Sequence, residues 1–136
     1  MAANIENNVL SKRRDDTGVR AWLEIGTGRQ GNVGSGGNYD DDTWHYWVYT
    51  YDGAMARLYL DNVLIDTDAA SGLTYAGAPH VLLGQHVFAT PDQAHYFGGL
   101  IDELAIFNRA LTTQEISDLY NAGKEGEDIL LAPTYE

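Results

Sequence analysis

The segment FGGLIDELAIFNRALTTQEISDLYNAG, residues 97–123, changes its periodicity halfway along. The run LIDELAIFN within it alternates with period two, which predicts a β-strand. Thr112 and Glu115 then form a capping box, which is a signature of a helix start. Apolar residues follow at helical spacing, namely Ile116, Leu119 and Tyr120. Because Gly123 can take the left-handed conformation that ends a helix, the segment predicts one strand followed by one short helix.

Short alternating runs precede this segment and are separated by Gly, Asn and Asp. Examples are VRAWLEIG (19–26), WHYWVYTYDG (44–53) and HVLLGQHV (80–87). The run ARLYLDNVLID (56–66) predicts a hairpin, because Asp61 and Asn62 tolerate the positive φ of a tight turn. The chain is therefore predicted to consist mainly of antiparallel strands.

The size and charge of the chain restrict its function class. A chain of 136 residues and 15.0 kDa suits one domain, residues 1–136. Its formal charge of −12 disfavours binding to nucleic acid or to an anionic membrane surface. No cysteine is present, which excludes disulfides and thiolate chemistry. We see no signal-peptide pattern and no apolar run long enough to insert into a membrane.

Three segments resemble, in order and spacing, the laminin-G-like, concanavalin-A-like jelly-roll domains: WHYWVYTYDG, RLYLDNVLI and FGGLIDELAIFNRALTTQEISDLYNAG. The match covers roughly residues 43–123. The resemblance implies an all-β fold, an antiparallel two-sheet jelly-roll sandwich with one short C-terminal helix. It also implies an extracellular or cell-surface module that binds glycans or proteins, often beside a Ca²⁺ ion.

The front of the chain departs from this family pattern. Two family strands, one of which carries Phe-Asp-Gly, are not found before NVLSKR (8–13). A sheet that lacks strands leaves an unpaired edge, which is a template for another strand. The tail 124–136 contains the apolar run Asp128–Ala132, which could supply that strand to its own sheet or to another chain. We therefore expect a homodimer or a higher oligomer.

The aromatic residues are divided between two strand faces. Trp47, Tyr49 and Tyr51 share one face, which we predict to be core, and Trp44 is predicted to be a packing residue. A second set alternates away from the core residues and is a candidate sugar platform: Trp22 between Arg20 and Glu24, together with Tyr46 and Tyr59. The alternative is that these aromatics pack under loops, against the helix or against another chain.

Asp102 shares strand parity with Leu104 and Ile106, so alternation predicts that its carboxylate points inward. A buried carboxylate requires a hydrogen-bond partner or a cation. Either Asp102 caps backbone N–H groups, or it binds Ca²⁺, as the resemblance favours, and Asp92 adds an oxygen ligand. His86 and His95 lack a zinc spacing.

Enzyme motifs are missing from the sequence. Glycosidases of the related sandwich need carboxylates that project into one cleft, whereas adjacent Asp102 and Glu103 point to opposite strand faces. We therefore expect a noncatalytic carbohydrate-binding or adhesion module with a glycan or a cell-surface protein as its partner. A structural or assembly module that binds protein and no sugar is the alternative, and a glycoside hydrolase on the same sandwich is a remote one.

Overall fold

The computed structural model describes residues 8–12, 18–25, 28–39, 41–71, 83–86 and 95–125. The described strands are β1 (Asn8–Lys12), β2 (Val19–Ile25), β3 (Gly28–Gly34), β4 (Trp47–Tyr51), β5 (Met55–Leu60), β6 (Val63–Ala69), β7 (Gln85–His86) and β8 (His95–Tyr96). One helix, α1 (Thr113–Glu125), follows them. All strand pairs are antiparallel, with the orders β1-β2-β3 (sheet 1), β4-β5-β6 (sheet 2) and β7-β8. The predicted all-β architecture with one helix is confirmed.

The β5–β6 hairpin forms where the sequence predicted it. Asp61 and Asn62 occupy the turn with φ of 49° and 68°, and they connect a ladder that pairs Leu60 with Val63. Positive φ at both central residues gives the twist that matches two antiparallel strands. The Asp-Asn dipeptide thus sets the β5–β6 register next to the turn, and that register shifts between Leu58 and Tyr59.

Sheet 1 packs against the inner face of sheet 2. Their contact centres on one buried cluster, whose members are Ala21, Val33, Ala56 and Leu58. Tyr49 and Tyr51 pack against this cluster, as predicted for core aromatics. Gly31 allows the close approach, since a Cβ at this position would lie 2.7 Å from the Cβ of Ala56. Burial of this apolar surface is the main force that holds the two sheets together.

Two carboxylates of β6 complete the contact between the sheets. Asp66 Oδ2 accepts a hydrogen bond from the Gly34 amide at 3.0 Å, and Asp68 Oδ2 accepts one from the Asn32 amide at 2.9 Å. Both amides belong to β3, the edge strand of sheet 1. Unpaired edge amides invite pairing with another chain. The carboxylates therefore satisfy and cover part of this edge.

Helix α1 packs against the outer face of sheet 2. Tyr59, Leu111, Ile116 and Leu119 form the buried cluster between them. The Asn62 side chain also donates a hydrogen bond to Ser117 Oγ at 3.0 Å. Within the described part of the chain, no helix has the length and the apolar character needed to cross a membrane. Sheet 2 thus has sheet 1 on one face and a helix on the other.

The predicted capping box is present at the start of α1. Glu115 N donates to Thr112 Oγ1 at 3.3 Å, and Glu115 Oε2 accepts from the Thr112 amide at 2.7 Å. Arg109 adds two bonds to the same carboxylate. The prediction that Gly123 ends the helix is wrong, because α1 continues to Glu125.

The strand predicted at LIDELAIFN is not formed. Residues 100–107 pair with no strand in the described part of the chain, and Leu100 and Ile106 are 79% and 69% exposed. Glu103 has a φ of 51°, and a left-handed residue interrupts the alternation on which strand parity depends. Of the predicted strand HVLLGQHV, Gln85 and His86 lie in β7, whereas Leu83 and Gly84 belong to no strand. The remaining residues of that run lie outside the described residues. The tail run Asp128–Ala132 also lies outside them.

Candidate functional site

The residues proposed as a sugar platform do not come together. Tyr59 is 5% exposed beneath α1, so it cannot belong to a solvent-facing sugar platform. Arg20 is half-buried in β2, on the other layer of the sandwich. Trp22 and Glu24 have their backbone in β2, but their side chains lie outside the described residues. A layer of strands therefore separates the tyrosines of this set from β2.

Tyr46 also belongs to the contact with the helix. Its ring centroid lies 5.8 Å from that of Tyr120, and it packs against the cluster under α1. Burial, and after it the negative charge of Glu103, raises the pKa of Tyr46 to about 12. For Tyr46 and Tyr59 the structure supports the alternative interpretation, in which these aromatics pack against the helix.

Trp47 lies on the core side of β4 but is only half-buried. Its indole meets the edge of the Phe97 ring, with centroids 6.4 Å apart. Its Nε1 is buried and has no hydrogen-bond partner within the described part of the chain. Trp47 is half-buried and does not belong to either buried cluster, so the prediction that it is a core residue is met only in part.

Trp44 is the exposed tryptophan of the described structure, with 64% of its surface accessible. It precedes β4 and lies in a segment, residues 41–46, that we call the Trp44 loop. The interpretation of Trp44 as a packing residue was therefore wrong. The sequence contained a signal of this exposure. Trp44 follows an Asp-rich, glycine-rich stretch with only Thr43 between them, and so stands at the boundary between loop and strand. Asp41, Asp42 and Thr43 beside it are exposed as well.

Hydrogen bonds give the Trp44 loop a defined shape. His45 Nδ1 lies 2.8 Å from Asp61 Oδ2, and His45 Nε2 lies 3.0 Å from Asp41 Oδ1. Thr43 donates both its amide and its hydroxyl to Asp41 Oδ1, at 3.1 and 2.7 Å. The Tyr46 amide donates to Asp61 Oδ1 at 2.9 Å. The loop is thus bonded to the β5–β6 turn and presents an exposed indole from a fixed backbone.

Two effects act on the pKa of His45. Partial burial of the ring lowers it, but the hydrogen bonds and the negative charges of Asp61 and Asp41 outweigh burial and raise the pKa above its ordinary value of 6.5. The pKa of Asp41 is lowered by the Thr43 hydroxyl and then by His45. The network therefore favours a positive imidazolium between two negative carboxylates.

Asp102 does not lie where a metal ligand was expected. Its carboxylate is exposed, and Oδ1 accepts a hydrogen bond from the Glu103 amide at 2.8 Å. The inward orientation predicted from parity is therefore wrong. Among the residues that the structure describes, no group of three His, Cys, Asp or Glu side chains fits a metal ion. Asp92 lies outside the described residues, so Asp102 is left without a described partner for calcium.

Two apolar stretches are also exposed. One is Val63, Leu64 and Ile65 on β6, with exposures of 59%, 48% and 37%. The other lies in the unpaired segment after β8: Leu100, Ile101, Leu104, Ile106 and Phe107. Contiguous exposed apolar side chains can mark a surface that contacts another molecule.

Comparison with known proteins supports the architecture. A family model described as the concanavalin A-like lectin/glucanases superfamily matches residues 2–117. The crystal structure of an S-layer domain-containing protein (residues 221–444) from Clostridium thermocellum ATCC 27405 is similar, with 16% sequence identity and a TM-score of 0.53. The alignment covers 88% of this chain and 65% of that chain, so this chain spans less than two thirds of its length. No curated protein sequence matches.

Proposed function

Because the chain belongs to the concanavalin A-like lectin/glucanase superfamily, we propose that it is a noncatalytic carbohydrate-binding or adhesion module that binds glycans through the Trp44 loop. The observation that carries this proposal is the 64% exposure of Trp44 on a hydrogen-bonded loop. Such a module would act outside the cell or at its surface, beside other domains of a parent protein.

The chemistry of the loop suits a sugar ligand. The flat apolar face of an indole matches the C–H face of a pyranose ring, and its burial removes apolar surface from water. Hydroxyl groups of a sugar need hydrogen-bond acceptors, and the exposed carboxylates of Asp41 and Asp42 lie three and two residues before Trp44. Ligand sites typically combine an apolar or aromatic surface with a few fixed polar groups. Because Asp41 already accepts bonds from Thr43, its position is set before a ligand arrives.

Two of the acidic side chains, Asp52 and Glu115, lack the raised pKa that a catalytic acid needs. A glycosidase needs one carboxylic acid with a raised pKa beside a second carboxylate. The pKa values of Asp52 and Glu115 are instead lowered to about 2, first by hydrogen bonds from Arg57 and Arg109 respectively. Both carboxylates are occupied in ion pairs that stabilise a turn and a helix start.

A glycan array, followed by calorimetric titration of each hit, tests the proposal. We expect Trp44→Ala to abolish binding and Trp44→Phe to retain part of it, because phenylalanine keeps an aromatic face. Leu83→Ala is the matched control, since Leu83 is also apolar and 55% exposed but lies outside the Trp44 loop. Equal affinities for the wild type and Trp44→Ala would reject this site. Parallel titrations with Ca²⁺ and with EDTA test whether a cation takes part, and release of reducing sugar tests for hydrolysis.

An assembly module that binds protein is the second candidate. The exposed apolar residues of β6 favour it, because apolar side chains on an edge strand suit contact with another protein. The similar structure named above is described as that of an S-layer domain-containing protein. Light scattering at micromolar concentration tests for the expected dimer or higher oligomer. Leu64→Lys should lower the observed mass if β6 forms the contact, whereas Thr67→Lys changes the same strand at a polar exposed position.

A further inference from the structure

The His45 ring is hydrogen-bonded on both of its nitrogens. Nδ1 faces Asp61 Oδ2 at 2.8 Å, and Nε2 faces Asp41 Oδ1 at 3.0 Å and Thr43 Oγ1 at 3.1 Å. A carboxylate can only accept hydrogen bonds, so each nitrogen must donate one. A neutral imidazole has a single N–H group, whereas the imidazolium has two. The observed geometry is therefore that of a protonated histidine.

The neutral ring has no equivalent arrangement. If Nδ1 keeps its proton for Asp61, the lone pair of Nε2 faces Asp41 Oδ1, and two acceptors repel each other. The Thr43 hydroxyl could turn to donate to Nε2, but it would then leave Asp41, to which it donates at 2.7 Å. Either way, the neutral ring cannot keep the full set of bonds that connects Asp41 through His45 to Asp61.

The two carboxylates belong to different parts of the chain. Asp41 lies in the Trp44 loop, and Asp61 lies in the β5–β6 turn. The Asp61 amide also donates a backbone hydrogen bond to this loop, at the Tyr46 carbonyl, with a distance of 2.9 Å. The next turn residue, Asn62, is bonded to Ser117 of α1. His45 therefore connects Asp41, at the start of the loop, to this turn.

We propose that His45 is a proton-controlled clamp whose imidazolium form bridges Asp41 of the Trp44 loop and Asp61 of the β5–β6 turn, and that loss of its proton breaks this bridge. Asp41, Asp61 and Tyr39 are the titratable groups that the structure describes around the ring, and the Tyr39 ring meets it edge-on at 5.1 Å. Histidine is the side chain whose ordinary pKa lies near neutrality, so His45 is the group through which this cluster can respond to pH in that range.

The direction of the pH dependence follows from the position of the His45 pKa. In the folded protein this pKa is raised above 6.5, since the carboxylate bonds outweigh the effect of burial. The clamp therefore contributes fully at pH values below 6.5 and is lost as the pH rises through the raised pKa. If the Trp44 loop binds glycans, as proposed above, affinity should fall over the same interval. That last step depends on the proposed function, whereas the clamp does not.

Proton NMR of the intact chain tests the clamp directly. The chain has four histidines, and His45→Gln identifies the C2–H resonance of His45 by its disappearance. We expect its titration midpoint to lie above 6.5 in the wild type. We also expect the amide protons of Thr43 and Tyr46, which are bonded to the two carboxylates, to shift with the same midpoint.

Asp61→Asn removes one negative charge while keeping the size of the side chain, and it should lower the His45 midpoint. Asp102→Asn makes the same charge change at an exposed site and should leave the midpoint unchanged. The clamp is overturned if the wild-type midpoint is at or below 6.5, if the two amides do not follow it, or if both variants lower it equally. A titrating clamp in a protein that binds no glycan would refute the proposed function and leave the clamp standing.

Discussion

Replacing Tyr59 with alanine should destabilise the domain strongly, because this tyrosine is 5% exposed between sheet 2 and α1. A buried aromatic side chain removes about 200 Å² from water, which corresponds to about 5 kcal/mol at about 25 cal/mol per Å². Unfolded chains already bury part of that area, so the expected loss is about 3–4 kcal/mol. The loss measures how firmly the helix is held against the sheet.

Urea unfolding followed by circular dichroism measures this loss as a shift of the midpoint at unchanged slope. Tyr59→Phe keeps the ring and should lose far less than Tyr59→Ala. Trp44→Ala removes a larger aromatic from an exposed position and should change stability by less than about 0.5 kcal/mol. If Tyr59→Ala cost less than about 1 kcal/mol, the helix would not cover this face, and Tyr59 would again be available to a ligand.

Three further predictions concern carboxylates. Asp102→Ala should leave the melting temperature nearly unchanged, because this side chain is exposed, and a large drop would restore the inward orientation. The pKa of Glu115 is lowered to about 2 from 4.5, so the stability that its ionised form gives to the fold is present above pH 4.5 and is lost as the pH falls toward 2. The melting temperature of Glu115→Gln should therefore depend less on pH in this acid range than that of the wild type. Asp66→Ala should cost roughly 1 kcal/mol by leaving the Gly34 amide unpaired, whereas Thr67→Ala on the same strand should be nearly neutral in urea titrations.

Features that depend on a few neighbouring residues were predictable from the sequence. The turn at Asp61 and Asn62 forms because both side chains tolerate positive φ, and no distant contact is needed to specify it. The start of α1 forms because Thr112 and Glu115 satisfy each other's amide groups three residues apart. In both cases the deciding interactions lie within one turn of the chain.

Features that depend on packing between elements were not predictable in the same way. Alternation placed Tyr46 and Tyr59 correctly on the face opposite Tyr49 and Tyr51, but it could not show that a helix covers that face. For Asp102 alternation itself failed, since strand parity has meaning only when a residue belongs to a paired strand. The left-handed φ of Glu103 interrupts that segment, and nothing in the sequence signalled it.

The layering of the domain limits where a ligand can bind. Sheet 1 occupies the inner face of sheet 2, and α1 occupies its outer face, so the middle of sheet 2 is closed to solvent on both sides. The ends and edges of its strands remain open. The Trp44 loop stands at one such end, where the chain enters β4 beside the β5–β6 turn. Because loops held by a rigid scaffold are the usual carriers of binding residues, this end of sheet 2 is where substitutions should separate binding from stability.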